Sequence, residues 1–216
     1  MVADANLAVI QDILQFIGAF VSLSIAYVSF RGVRQTESTS LLRLTTAFAF
    51  LGLGFLVEAI VGASYYYPQL AMLTTTVVVA GLLLETTGYF FLAFSHAIDV
   101  MISKRLGYAL LVFPMISLSG PQLSDILSIL SFYFVLYGVV ETLFAYARNR
   151  NPDTLLIAGG LALIGMGTFI QWLSLLYFQV DVLSLVQIIT KEVGLMVLFI
   201  PVLNFTLGGK RIVGPV

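Results

Sequence analysis

Apolar residues run along this chain in long blocks that short polar stretches separate. A transmembrane helix needs about 20 mostly apolar residues, and the blocks reach that length. We therefore predict an all-α fold, a seven-helix membrane bundle that forms a single transmembrane domain over residues 1–216. The predicted helices cover residues 7–29, 41–63, 70–95, 106–119, 122–147, 154–178 and 182–207. The fourth is the shortest, and it contains Pro114.

Positive charges lie between these blocks in a one-sided pattern. With seven spans, nine of the ten Lys and Arg residues fall on the same side: Arg31, Arg34, Arg43, Lys104, Arg105, Arg148, Arg150, Lys210 and Arg211. Lysine and arginine are enriched in cytoplasmic loops of membrane proteins. We therefore predict a protein of the cell membrane with its N-terminus outside and its C-terminus in the cytoplasm. The tenth cation, Lys191, lies inside the last helix.

Composition supports a membrane protein and excludes several chemistries. The chain is 60% hydrophobic and 10% charged, whereas soluble domains are about 25% charged. The absence of cysteine excludes disulfides, iron–sulfur ligation and thiol catalysis, and the single histidine excludes a bis-histidine haem. No nucleophile with its base, nucleotide loop, metal cluster or basic tail is visible. We predict no enzyme activity, no metal site and no nucleic-acid partner.

The two ends of the chain resemble each other. One constant shift in numbering, which we call the long offset, places Gln11–Leu14 on Ser124–Leu127, Gly52–Gly54 on Gly165–Gly167 and Glu58 on Gln171. A slightly smaller shift, the short offset, brings ETTG at Glu85–Gly88 near KEVG at Lys191–Gly194. These matches predict a 3+1+3 arrangement of two parallel three-helix repeats, in which the fourth helix restores the orientation.

Polar residues within the predicted spans are the candidate functional residues, because a charged group near the bilayer centre costs a few kcal/mol. Lys191 lies about 12 Å below the outer end of its helix. Adjacent residues on a helix point about 100° apart, so Glu192 cannot be its partner. By depth we predict Glu58 as the partner, then Asp12, with Glu85 as the deeper choice. The candidate residues are Asp12, Glu58, Glu85, Gln171, Lys191 and Glu192.

Two families share features with the chain. The run TKEVGLMVLF, Thr190–Phe199, resembles the surroundings of the retinal lysine in microbial rhodopsins, which implies that Lys191 could hold retinal. Gln187 stands where that family has a carboxylate, and the third helix lacks its Arg and Trp, so we expect neither retinal nor another cofactor. The 3+1+3 pattern is similar to that of the SWEET sugar transporters, whose PQ motif occurs here at Pro68-Gln69 and Pro121-Gln122. We expect both copies to lie in outer loops, ahead of the third and fifth predicted helices.

Two functions fit these observations. The first is a non-catalytic integral membrane protein, either a subunit of a larger membrane complex or a sensor-like module that acts through partners. Its partners would be the lipid bilayer and other membrane protein chains or further copies of itself in a homo-oligomer. The second is a small-solute or proton-coupled transporter with its path at the repeat interface. In the transporter, Glu58, Glu85, Gln171 and Lys191 would line the path. A rhodopsin-like retinal protein remains the third alternative.

Overall fold

The computed structural model describes residues 2–64, 74–93, 120–177 and 181–208, and all four segments are helical. The helices are α1 (Val2–Thr36), α2 (Thr39–Ser64), α3 (Thr74–Ala93), α4 (Gly120–Asn149), α5 (Pro152–Tyr177) and α6 (Asp181–Gly208). Each contains a stretch long and apolar enough to cross a membrane. The described part of the chain is therefore all-helical, and its apolar helices make the chain a multi-pass membrane protein, as the hydrophobic pattern predicts.

Six of the predicted helices coincide with observed ones. The predicted fourth helix, 106–119, lies outside the described residues, as do four of the nine one-sided cations, so the count of seven stays a prediction. The first helix is longer than predicted at both ends. Pro121 and Gln122 fall within the first turn of α4, so the expectation that this PQ pair lies in a loop is wrong. Proline is favoured in the first turn because no N–H is needed there.

The helices form a ring in chain order. Each one packs against its neighbours in this order, and the contact of α6 with α1 closes the ring. The inner faces meet in a core of large side chains that are at most 1% exposed, among them Phe48, Leu51, Phe55, Ile164 and Leu195. The outer faces present large apolar residues, as expected for helices that contact lipid.

Two short connections have the same backbone geometry. Glu37 ends α1 with a positive φ of 53°, and Arg150 ends α4 with a φ of 50°. In each case the residue's own N–H bonds the carbonyl four residues earlier, at 2.8 Å, to Val33 and Tyr146 respectively. This left-handed residue is a common way to end a helix. The two turns are related by the long offset, and they lie at the same end of the ring as Arg31, Arg34, Arg43 and Arg148, which we call the basic end.

Glycines bring α2 close to α3, and α5 close to α6. A Cβ on Gly54 would lie 2.8 Å from Cγ of Glu85, and a Cβ on Gly167 would lie 2.7 Å from Cγ of Lys191. Real Cβ atoms do not approach other atoms so closely, so only glycine fits at either position. Small residues at membrane helix contacts allow this close approach. Gly54 and Gly167 therefore fix the positions of Glu85 and Lys191, respectively.

Candidate functional site

Lys191 of α6 and Glu85 of α3 form an ion pair in the middle of the ring. Lys191 Nζ donates a hydrogen bond to Glu85 Oε2 at 2.9 Å, and both side chains are buried. The ammonium also lies 5.8 Å from the ring centroid of Phe55, itself buried on α2. Because α3 and α6 are on opposite sides of the ring, the pair spans its interior. It joins the half formed by α1–α3 to the half formed by α4–α6.

The predicted partner of Lys191 was wrong. Glu58 accepts a hydrogen bond from Gln15 Nε2 at 2.7 Å, and Asp12 is only half-buried. Depth alone does not distinguish Glu58 from Glu85, because Lys and Glu side chains can each reach several ångströms along the helix axis. The direction in which each carboxyl points around α2 or α3 decides the pairing. Glu58 points toward α1, and Glu85 points toward α6.

Glu192 faces α1, whereas its neighbour Lys191 faces α3. It is 3% exposed, and its carboxyl lies against Gly18 of α1, where any side chain would clash with it. Neither of its oxygens has a hydrogen-bond partner among the described residues. This confirms that Lys191 and Glu192 do not pair with each other.

Four ionisable residues thus lie in one slice of the ring. We call Glu58, Glu85, Lys191 and Glu192 the charge layer. The charges of Glu58 and Glu192 both act on Lys191 from within the protein. The charge layer therefore holds three carboxyls and a single ammonium, and burial of uncompensated charges is costly. The described residues contain no group of three or more His, Asp or Glu placed to hold a metal ion.

The candidate Gln171 is not part of this arrangement. It is half-buried on α5, and its backbone carbonyl accepts a bond from Ser174 Oγ at 2.7 Å. No contact joins its side chain to the ion pair in the part of the chain that the structure describes. Sequence reasoning missed Gln15, whose spacing of four residues from Gln11 places both amides on one face of α1. Gln11 bonds Ser184 of α6 at 2.9 Å.

Sequence reasoning also missed a cavity inside the ring at its basic end. It has a volume of about 410 Å³, and all six described helices line it. Its deep part is apolar, with Phe48, Leu92, Leu161 and Leu198, and it reaches exposed Asn151 and Asn204 at the basic end. Ligand pockets of proteins are commonly of this size and are mainly apolar.

Two of the hydroxyl side chains that line the cavity are buried. Thr142 Oγ1 donates to the backbone carbonyl of Gly138 at 2.7 Å. The buried Ser29 hydroxyl has no hydrogen-bond partner among the described residues. A buried hydroxyl without a partner costs free energy. Ser29 could therefore bind a polar atom of a molecule in the cavity.

The cavity and the charge layer lie one above the other. Leu198 lines the cavity two turns after Lys191, about 10 Å along α6. Leu195 lies between them, at 1% exposure, and Tyr89 lies between Glu85 and Leu92 on α3. The charge layer and these buried side chains therefore separate the cavity from the opposite end of the ring.

Comparisons with protein-family models, curated proteins and solved structures find no match for this chain. The charge layer and the cavity are therefore the features that bear on function.

Proposed function

We propose that this chain is a membrane carrier for a small, mostly apolar molecule that binds in the central cavity. The observation that supports this function is the position of the cavity. All six described helices line it, it reaches one end of the ring, and the charge layer closes the ring toward the other end. A carrier needs a central site that is reached from one side at a time.

The carrier would be built from two parallel three-helix repeats, α1–α3 and α4–α6. Contacts within one half recur in the other at the long and short offsets that relate their sequences. The contact of Gly54 with Glu85 corresponds to the contact of Gly167 with Lys191. In the same way, the contact of Gly88 with Leu51 corresponds to that of Gly194 with Ile164. The turns at Glu37 and Arg150 correspond as well.

The cavity would then lie on the axis that relates the two repeats. Several lining residues form equivalent pairs at the long offset: Ser29 and Thr142, Ser38 and Asn151, Leu44 and Ile157, and Phe48 and Leu161. Leu92 and Leu198 correspond at the short offset. In transporters with internal repeats, substrate sites lie at the repeat interface. The predicted fourth helix, 106–119, would connect the two halves.

The ion pair would act as the gate of this carrier. Glu85 and Lys191 occupy equivalent positions of the two repeats, so a rotation of one repeat against the other would separate them. Opening the gate would expose the cavity toward the end opposite the arginines. With arginine-rich loops in the cytoplasm, the cavity described here would open to the cytoplasm, and the N-terminus would lie outside.

A substitution that fills the cavity tests the proposal. Gly138 lines the cavity, and a Cβ on it would lie 3.7 Å from both Ala93 Cα and Leu161 Cδ1, which is an ordinary van der Waals contact. The site therefore accommodates a Cβ, and the rest of the side chain in Gly138→Leu adds apolar volume there. Gly159→Leu is the matched control, because a Cβ on Gly159 meets nothing within 4 Å. We expect native mass spectrometry to detect a small molecule retained by the wild-type protein and by Gly159→Leu, and not by Gly138→Leu.

The identified molecule is then tested for exchange across liposomes that contain the purified chain. Equal occupancy of all three proteins would refute a ligand site in this cavity. Retention of the molecule without exchange would refute the carrier and leave a binding module.

A sensor-like subunit of a membrane complex is the second candidate. The observation that favours it is the burial of Lys191 and Glu85, which are paired with each other and do not line the cavity. Such pairs can fix helix register without transporting anything. Native purification separates the two functions: stoichiometric recovery with other chains supports a subunit, and full exchange activity of the isolated chain supports a carrier.

A further inference from the structure

The two contacts between the halves of the ring differ in one respect. We call the contact of α3 with α4 the first seam and the contact of α6 with α1 the second seam. At the first seam, the hydroxyls of Thr86 and Ser131 lie 2.8 Å apart, and Thr86 Oγ1 also donates to the carbonyl of Leu82 at 2.6 Å. The two hydroxyls at this point of the seam therefore bond each other.

The second seam replaces these hydroxyls with a carboxyl and a glycine. Glu192 corresponds to Thr86 at the short offset, and Gly18 corresponds to Ser131 at the long offset, so they occupy the equivalent positions. The Glu192 carboxyl is buried against Gly18, and both of its oxygens lack a hydrogen-bond partner in the described segments. Gln15, one turn before Gly18, is also buried, and its Oε1 likewise has no donor there.

We propose that Glu192 at the second seam is a proton-binding site, which exchanges one proton with water while α1 and α6 stay folded. An ionised carboxylate at this depth would need donors or a cation. The protonated acid carries no charge, and its O–H can donate to an acceptor such as the amide oxygen of Gln15. When the proton leaves to water, the carboxylate remains in the seam with its negative charge.

Charged and titratable groups from each neighbouring helix surround Glu192. Lys191 on its own helix carries the only positive charge of the charge layer, and Glu85 of α3 already takes its hydrogen bond. Glu58 of α2 bonds Gln15. Tyr89 of α3 is near enough to interact with the charge of Glu192, and Asp12 lies two turns before Gly18 on α1. Lys191 thus neutralises at most one of the buried carboxyls.

Infrared spectroscopy tests the proton site, because the C=O stretch of a protonated carboxyl is separate from the bands of a carboxylate. The proposal requires no ligand in the cavity, so its failure and that of the carrier are distinguishable. Spectra of the lipid-reconstituted protein are recorded between roughly pH 5 and 9. We expect a protonated-carboxyl band that disappears as pH rises and is absent from Glu192→Gln. The matched control, Glu37→Gln, changes an exposed carboxyl and should leave the band intact.

Unfolding gives a second readout. A proton bound in the folded state and released on unfolding makes the unfolding equilibrium constant rise by up to about tenfold per pH unit. We expect the unfolding equilibrium constant of Glu192→Gln to rise less steeply with pH than that of the wild type. The difference should correspond to the release of one proton fewer on unfolding. Should Glu192→Gln fail to fold, Gly18→Ala keeps the carboxyl and crowds it, so the band should shift in frequency.

Three spectroscopic results with varied pH or sequence would overturn the proposal. They are a wild-type spectrum without a titrating carboxyl band, the same band in Glu192→Gln, and a band that Gly18→Ala does not move. A band that responds to sodium ions at constant pH would also overturn it, because the site would then bind a metal cation.

Discussion

Removing the ammonium of the central ion pair should destabilise the fold strongly. Lys191→Met keeps the length of the side chain and leaves Glu85 buried without its partner. At the observed separation of 2.9 Å and an effective dielectric constant of about 20, the attraction between the charges is about 6 kcal/mol. Desolvation offsets part of it, and breaking one side of such a pair typically costs about 3–5 kcal/mol.

The assay is the unfolding equilibrium of the reconstituted protein. A loss of about 3–5 kcal/mol corresponds to a change in the equilibrium constant of roughly two to four orders of magnitude. The control is Val193→Leu, an exposed substitution on the same helix, for which we expect a change within about 0.5 kcal/mol.

A double variant separates the ion pair from simple packing. In Glu85→Gln with Lys191→Met no buried charge of the pair remains unpaired, so we expect most of the stability to return. The exchanged pair, Glu85→Lys with Lys191→Glu, should also fold, because Gly54 and Gly167 make equivalent space for both side chains. A loss below about 1 kcal/mol for Lys191→Met, or single losses that simply add in the double variant, would refute this reasoning.

Three further predictions follow from the glycine contacts, the helix ends and the lysine. Gly167→Ala should lower the free energy of unfolding by about 1–3 kcal/mol, because it overpacks against Lys191, whereas Gly159→Ala, with open space around it, should leave it unchanged or raise it by up to about 1 kcal/mol. Equilibrium unfolding measures both, and equal effects would contradict the contact. Arg150→Gly should gain roughly 1 kcal/mol in the same assay, because glycine adopts its positive φ without strain, and a loss would contradict this. Retinal added to the purified chain should give no visible absorption band, because Lys191 is held by Glu85 and does not line the cavity. A band that appears with the wild type and is lost in Lys191→Met would show that Lys191 binds retinal.

The helices and the polar residues inside them could be predicted from sequence because each depends on local composition. Long apolar blocks predict spans, and a lysine within one is conspicuous. The partner of Lys191 could not be predicted, since residue counting gives depth along a helix and does not give the direction of each side chain within the ring. Depth matching favoured Glu58, which instead bonds Gln15.

The cavity was unpredictable for a related reason. Its lining residues are common apolar and hydroxyl side chains from all six helices, and only their assembly creates a space between them. The short match between ETTG and KEVG did contain a signal, because it aligns Glu85 with Lys191. The equivalent glycine contacts of these two residues became visible only in the structure.

The close glycine contacts have a mechanical consequence. Gly54 and Gly88 hold α3 tightly on α2, and Gly167 and Gly194 do the same for α6 on α5. Sliding within either pair would bring the backbones into collision, so we expect α2 with α3, and α5 with α6, each to move as one unit. We expect any large motion to occur as shear along the two seams. Because the chain contains no cysteine, a pair of cysteines introduced across one seam would report that displacement without background labelling.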